Sequence, residues 1–231
     1  YIYETQLFIR QLRPEIPEVL QALTGMGFVI GCISNTQSRT QVPTNLKEYG
    51  IIHYFNPIVL SSEYGRRKPD PSIFYYAARQ ANVPTSTCVY VGDKINRDIQ
   101  GARRAGFRLA IQIKHPFDNG SADEGPTPDM VINDMRELIP LIKDEMEQEK
   151  LQHAACASRK VKALFFDAGD ILYYRPQKGK NFNQFLEDKY IQPQPVLEHK
   201  IRSIRNLAFS GKIKRHAYYE QGLSLYGITS A

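Results

Sequence analysis

Val161-Lys162-Ala163-Leu164-Phe165-Phe166-Asp167 is the stretch on which the reading of this chain turns. From Ala163 to Phe166 there is no polar side chain, which suits a strand covered on both faces, as the central strands of a parallel sheet are. Asp167 ends the run. An isolated buried carboxylate is costly, so this one must emerge into a site or find a partner. The carboxyl edge of a parallel sheet offers both.

Working outward, short β-rich runs at Phe28 to Ser34, Pro57 to Ser62, Thr87 to Asp93, Arg108 to Lys114 and Met130 to Asn133 alternate with helical stretches. Glu15 to Met26 begins near Pro14 and Pro17 and stops at Gly25 and Gly27, the usual punctuation of a helix. Ser72 to Ala81 follows two prolines, and Asp98 to Ala105 ends at Gly106, a good left-handed cap. Leu138 to Gln152 reads as a charged helix. This alternation predicts an α/β fold: a doubly wound, Rossmann-like parallel sheet with helices on both faces. Beyond Pro176 the pattern changes to amphipathic helices at Phe182 to Tyr190, Val196 to Phe209 and His216 to Tyr226, with no strand between them. These predict a small all-helical cap.

Composition excludes several classes. With 42% hydrophobic and 23% charged residues the chain is an ordinary globular one, neither disordered nor collagen-like. No apolar run approaches the 18 or more residues of a membrane span and no signal sequence is evident, so the expectation is a cytoplasmic protein without membrane partners. Cys32, Cys88 and Cys156 have no metal-binding spacing and read as inert core residues. The formal charge of +6 is unevenly spread: residues 159–231 hold 13 of the 30 Lys and Arg but 6 of the 24 Asp and Glu. Such a segment attracts either phosphorylated small molecules or a nucleic-acid backbone, and charge alone does not separate the two.

Chemistry enters where strand ends converge. Asp167, Ser34 with Asn35, and Asp93 each follow a predicted strand, so in a parallel sheet they border one small volume. Carboxylates placed so close need a cation, and Mg²⁺ held by oxygen ligands is the economical one. The surrounding stretches are FFDAGDIL at 165–172, SNT at 34–36, KPDPSIF at 68–74 and VGDKINRDIQGARRAG at 91–106. Together they resemble the four motifs of the haloacid dehalogenase superfamily.

The resemblance implies an Mg²⁺-dependent phosphatase in which Asp167 attacks phosphorus to form an aspartyl-phosphate. Ser34 would bond a phosphoryl oxygen, and Lys68 would neutralise charge on the nucleophile and the transferring group. Asp93, Asp167 and the carbonyl of Gly169 would bind the metal, with Asp98 ordering its shell or orienting Lys68. Asn35 and Arg175 are read as substrate contacts. Taken singly, Ser34 and Asn35 also read as a helix cap, Lys68 as a surface charge and Asp98 as a favourable helix-start charge.

The chain departs from that family in two ways. Its phosphatases carry a second Asp two positions after the nucleophile as acid and base, and Gly169 stands there. Losing such a group costs roughly 10² to 10⁴ in rate. The same glycine keeps open two alternatives: a 2-haloacid dehalogenase, or a catalytically weakened protein that binds a phosphorylated ligand. The metal-binding pair Asp93 and Asp98 argues against the dehalogenase. The second departure is order, because the nucleophile strand comes last. The expected division is residues 14–150 and 161–176 as core, 151–160 as linker, and 1–13 with 177–231 as a cap built from both ends. That arrangement corresponds to a circular permutation, an unusual residue order or a swapped assembly. A helical cap of this kind closes over small phosphorylated substrates, which disfavours nucleic acid and leaves monomer and homodimer equally open.

Overall fold

The computed structural model describes residues 10–114, 124–152, 160–174 and 195–226. Six strands form one parallel sheet: β2 (Val29–Ser34), β3 (Phe55–Leu60), β4 (Cys88–Gly92), β5 (Leu109–Ile113), β6 (Met130–Ile132) and β7 (Ala163–Phe166). Their order is β3-β2-β7-β4-β5-β6, and every pairing is parallel. The last of these strands in the chain therefore lies at the centre of the sheet. β7 pairs with β2 on one side through Phe166 opposite Cys32, and with β4 on the other through Phe166 opposite Val91.

Every residue of β7 is buried, as its apolar run requires. Its side chains alternate between two cores, the period-2 consequence of the pleat. Leu164 and Phe166 pack with Val19, Leu20 and Leu23 of the helix Ile16–Gly25, with Leu46 of the helix Gln41–Glu48, and with Leu138 and Ile142 of the helix Leu138–Gln152. Ala163 and Phe165 face Phe74 and Ala77 of the helix Pro71–Gln80, and Ala102 of the helix Gln100–Arg104. The sheet is thus doubly wound as expected. Pro57, which has no N–H to donate, is accommodated because β3 is the sheet's edge.

Some predicted boundaries move. The strand expected over Pro57 to Ser62 ends at Leu60, and Ser61–Tyr64 forms a short helix that stops at Gly65 with φ of +88°. The helix expected from Asp98 is α-helical only over Gln100–Arg104, preceded by a π-helical turn at Ile95–Ile99. Such wide turns recur at functional sites. Residues 11–12 of the segment assigned to the cap form β1 (Gln11–Leu12), antiparallel to β8 (Tyr173–Tyr174).

The two described cap helices are Pro195–Phe209 and Arg215–Leu225, joined through Gly211 and packed on each other around Ile201, Ala208, Tyr218 and Tyr226. The helix expected at 182–190, most of the linker, Cys156, and both Tyr1 and Ala231 lie outside the described residues. Cys32 and Cys88 are buried free thiols, as read from the sequence. Among the described residues, no helix is long and apolar enough to cross a membrane.

Candidate active site

Three neighbouring strand ends deliver the reactive groups. Asp167 follows β7 and is held there by its own N–H donating to the carbonyl of Val91 at 3.0 Å. Its Oδ1 accepts from the N–H of Ala168 at 2.8 Å. Ser34 ends β2 and Asp93 follows β4, both buried. Asp98 returns over the end of β4 from the wide turn, and Gly92 makes that possible. A Cβ at Gly92 would lie 2.5 Å from Cβ of Asp98.

Lys68, which could have been a surface charge, is 1% exposed. Its Nζ lies 3.1 Å from Oδ1 of Asp167 and 2.7 Å from Oδ1 of Asp98. It also donates to the carbonyl of Ile33 at 2.8 Å and to the Tyr90 hydroxyl at 2.6 Å. An ammonium with four oxygen neighbours has no freedom to wander, so it presents a fixed positive charge beside Asp167. Asn35, expected to touch substrate, is engaged with the Lys68 backbone at both ends of its amide. Its Nδ2 donates to the Lys68 carbonyl at 3.0 Å, and its Oδ1 accepts from the Lys68 N–H at 2.9 Å. Asn35 therefore seats the lysine.

Two participants escaped the sequence reading. Tyr90 sits mid-strand in an apolar context, and its buried hydroxyl lies 3.3 Å from Oδ1 of Asp98 as well as beside Lys68. Burial, with Asp98 and Asp167 nearby, holds that phenol protonated. Arg97 lies inside the quoted stretch at 91–106, one residue before Asp98, and its charge was the available signal. Its Nη2 reaches Oδ1 of Asp93 at 3.0 Å, Oδ2 of Asp98 at 2.9 Å and Oδ2 of Asp167 at 2.7 Å.

The charges shape one another. Burial drives Asp93 above the usual carboxylate range, assisted by Asp98 and Asp167 and opposed by Arg97. Asp98 is deeper still, and burial pushes it the same way, but Arg97 and Lys68 prevail and hold it well below that range. Burial acts to discharge Arg97, and the three carboxylates keep it protonated instead.

Asp93, Asp98 and Asp167 each offer one oxygen within 4.8 Å of the others. Three converging carboxylates are a hard, oxygen-only donor set able to hold a divalent cation. At Gly169 a Cβ would meet no heavy atom of the described residues within 4 Å, so a side chain can start there without a collision. Asp170 has φ of +63°, and its N–H donates to the Tyr173 carbonyl at 2.8 Å. Arg175 lies outside the described residues.

A family model described as haloacid dehalogenase-like hydrolase matches residues 2–106. A "Probable phosphoglycolate phosphatase" of Pseudomonas savastanoi is 31% identical, over 51% of this chain and 72% of that protein. The glyceraldehyde 3-phosphate phosphatase of Methanopyrus kandleri is 33% identical, over 62% of this chain and 61% of its own length. The crystal structure of a HAD phosphatase from Thermococcus onnurineus superposes with a TM-score of 0.50 at 27% identity, covering 57% of this chain and 58% of that one. With its sheet order, its strand-end aspartates and these relatives, the chain belongs to the haloacid dehalogenase superfamily. It spans less than two thirds of the archaeal phosphatase's length.

Proposed function

We propose that this protein hydrolyses small phosphate monoesters with Mg²⁺, by way of an aspartyl-phosphate on Asp167. The observation that carries the reading is Lys68 fixed 3.1 Å from the Asp167 carboxylate inside a cluster of three buried aspartates. An oxygen of Asp167 attacks phosphorus as the ester oxygen leaves, and water then cleaves the acyl phosphate to inorganic phosphate while regenerating the carboxylate. Lys68 stabilises the charge that grows on the transferring group, and Ser34 bonds one of its oxygens. Asp98 and Asn35 orient Lys68. Mg²⁺, held by Asp93, Asp98, Asp167 and the carbonyl of Gly169, would add positive charge at the phosphoryl oxygens.

No carboxyl group stands at 169 to protonate the leaving oxygen, so esters with good leaving groups, such as acyl and aryl phosphates, react fastest. The division into core 14–150 and 161–176, linker 151–160 and a cap from 1–13 and 177–231 belongs to the same proposal, with Arg175 at a distal anionic group. Free buried thiols at Cys32 and Cys88 suit the reducing cytoplasm in which we place it. The names of the relatives make glyceraldehyde 3-phosphate and phosphoglycolate the first substrates to try.

The test is a panel of phosphorylated metabolites with Mg²⁺, with excess chelator, and with Asp167→Asn. Turnover should fall by about 10⁴-fold or more in the variant and vanish with chelator. Undiminished phosphate release by Asp167→Asn overturns the proposal. Halide release from 2-haloacids without Mg²⁺ would favour the dehalogenase instead.

A further inference from the structure

Nη2 of Arg97 stands within 3.0 Å of one oxygen from each of the three aspartates, at the point where a cation shared by all three belongs. Nε adds a second contact to Oδ2 of Asp98 at 3.2 Å. Among the described residues, the hydrogen-bond partners of its guanidinium are those three carboxylates alone. Lys68 differs, being fully enclosed and also anchored by the Ile33 carbonyl and Tyr90. The Arg97 side chain keeps 30% of its surface exposed and has a way out to solvent.

Net charge limits what the cluster can hold. Three carboxylates face Lys68 and Arg97, with Lys94 at the rim 3.7 Å from Asp93, so the cluster is already close to neutral. A dication entering with Arg97 in place would leave it positive and bring two cations within a few ångströms of each other, which is strongly unfavourable at low dielectric. We propose that Arg97 is a built-in competitor for the divalent cation: it occupies and stabilises the carboxylate cluster in the metal-free protein, and must swing out for the ion to bind. This rests on the metal-binding reading of the same cluster and assigns Arg97 a role in setting metal affinity.

Calorimetric titration of Mg²⁺ into wild type, Arg97→Gln and Arg97→Lys tests it, with melting temperatures measured in chelator and in saturating Mg²⁺. Arg97→Gln should bind Mg²⁺ at least about tenfold more tightly than wild type, the least that removing a unit charge at such range is worth. It should melt lower than wild type in chelator and recover with the ion. Should that variant fail to fold, Arg97→Lys carries the test. Its chain is one atom shorter and lacks the Nε contact, so Mg²⁺ should bind it more tightly than wild type, by a smaller factor. Equal or weaker affinity in the variants overturns the competition while leaving the metal site intact. Absence of Mg²⁺ binding by all three proteins overturns the metal site itself, and the competition with it.

Discussion

The end of β7 and the helical pair Pro195–Phe209 and Arg215–Leu225 solve opposite problems. At the carboxyl edge of the sheet, four buried charged side chains and the partly exposed Arg97 share one small volume, and a strand buried on both faces fixes the position of the central one. The helical pair is small and basic, and among its described residues only a few side chains are fully buried. Buried charge needs a frame that cannot relax, because a displaced partner leaves an uncompensated ion. A cover over that site needs the reverse, a modest contact that can open and close. On the function proposed above, rigidity belongs where charge is buried and mobility where substrate must pass.

Lys68→Met breaks the comparison most severely. It keeps the bulk of the side chain but leaves three buried carboxylates with Arg97 as the nearest remaining cation and Lys94 at the rim, 3.7 Å from Asp93. Breaking a buried ion pair from one side costs about 3–5 kcal/mol, and loss of an electrostatic catalytic group costs about 10² to 10³ in turnover. Urea unfolding should show the first and a kcat measurement the second. A variant as stable as wild type would mean that the edge relaxes freely, and the contrast with the cap would collapse.

Gly169→Asp sharpens it. Among the described residues nothing lies within 4 Å of a Cβ at 169, so the new side chain should start there without a backbone collision. Turnover of esters with poor leaving groups should rise by up to about 10²-fold. Aryl phosphates should gain little, and KM should stay nearly constant because the cap is untouched. An unchanged rate on both classes would show that protonation of the leaving group does not limit this protein.

The frame was legible in sequence because a two-sided strand has no alternative reading: four apolar residues and a terminal Asp dictate both burial and the sheet edge. Asp93 was legible for a similar reason, as the residue after a predicted strand, whereas Asp98 taken singly also read as a helix-start charge and was singled out by the family resemblance of the stretch 91–106. Arg97 was not. Its role comes from where the wide turn at Ile95–Ile99 aims a long side chain, and neighbouring positions on an ordinary helix do not face the same way. Asn35 shows a related limit. Its type and place next to Ser34 suggested a ligand contact, yet 33 residues separate it from the backbone groups of Lys68 that it bonds. The seating of the cap was equally hidden, since it depends on backbone meeting backbone.

That seating supplies the smallest effect and the finest test. Gly211 has φ of +67°, and a Cβ there would run into the carbonyl oxygen of Ser62. Ser62 cannot easily give way, because its hydroxyl donates to the Ser38 carbonyl at 3.1 Å while the Ser61 hydroxyl donates to the Thr36 carbonyl at the same distance. The cap therefore rests on a segment tied to the loop after Ser34, and a few residues further on Arg67 stacks on Phe209 at 5.7 Å beside Lys68. Gly211→Ala adds left-handed strain of about 1–2 kcal/mol to that collision. Amide exchange should then quicken across 195–226 while the amides of β7 stay protected, and KM should rise more than kcat falls. If exchange accelerates in β7 as well, cap and core form one cooperative unit, and the division of labour between a rigid edge and a yielding cover is wrong.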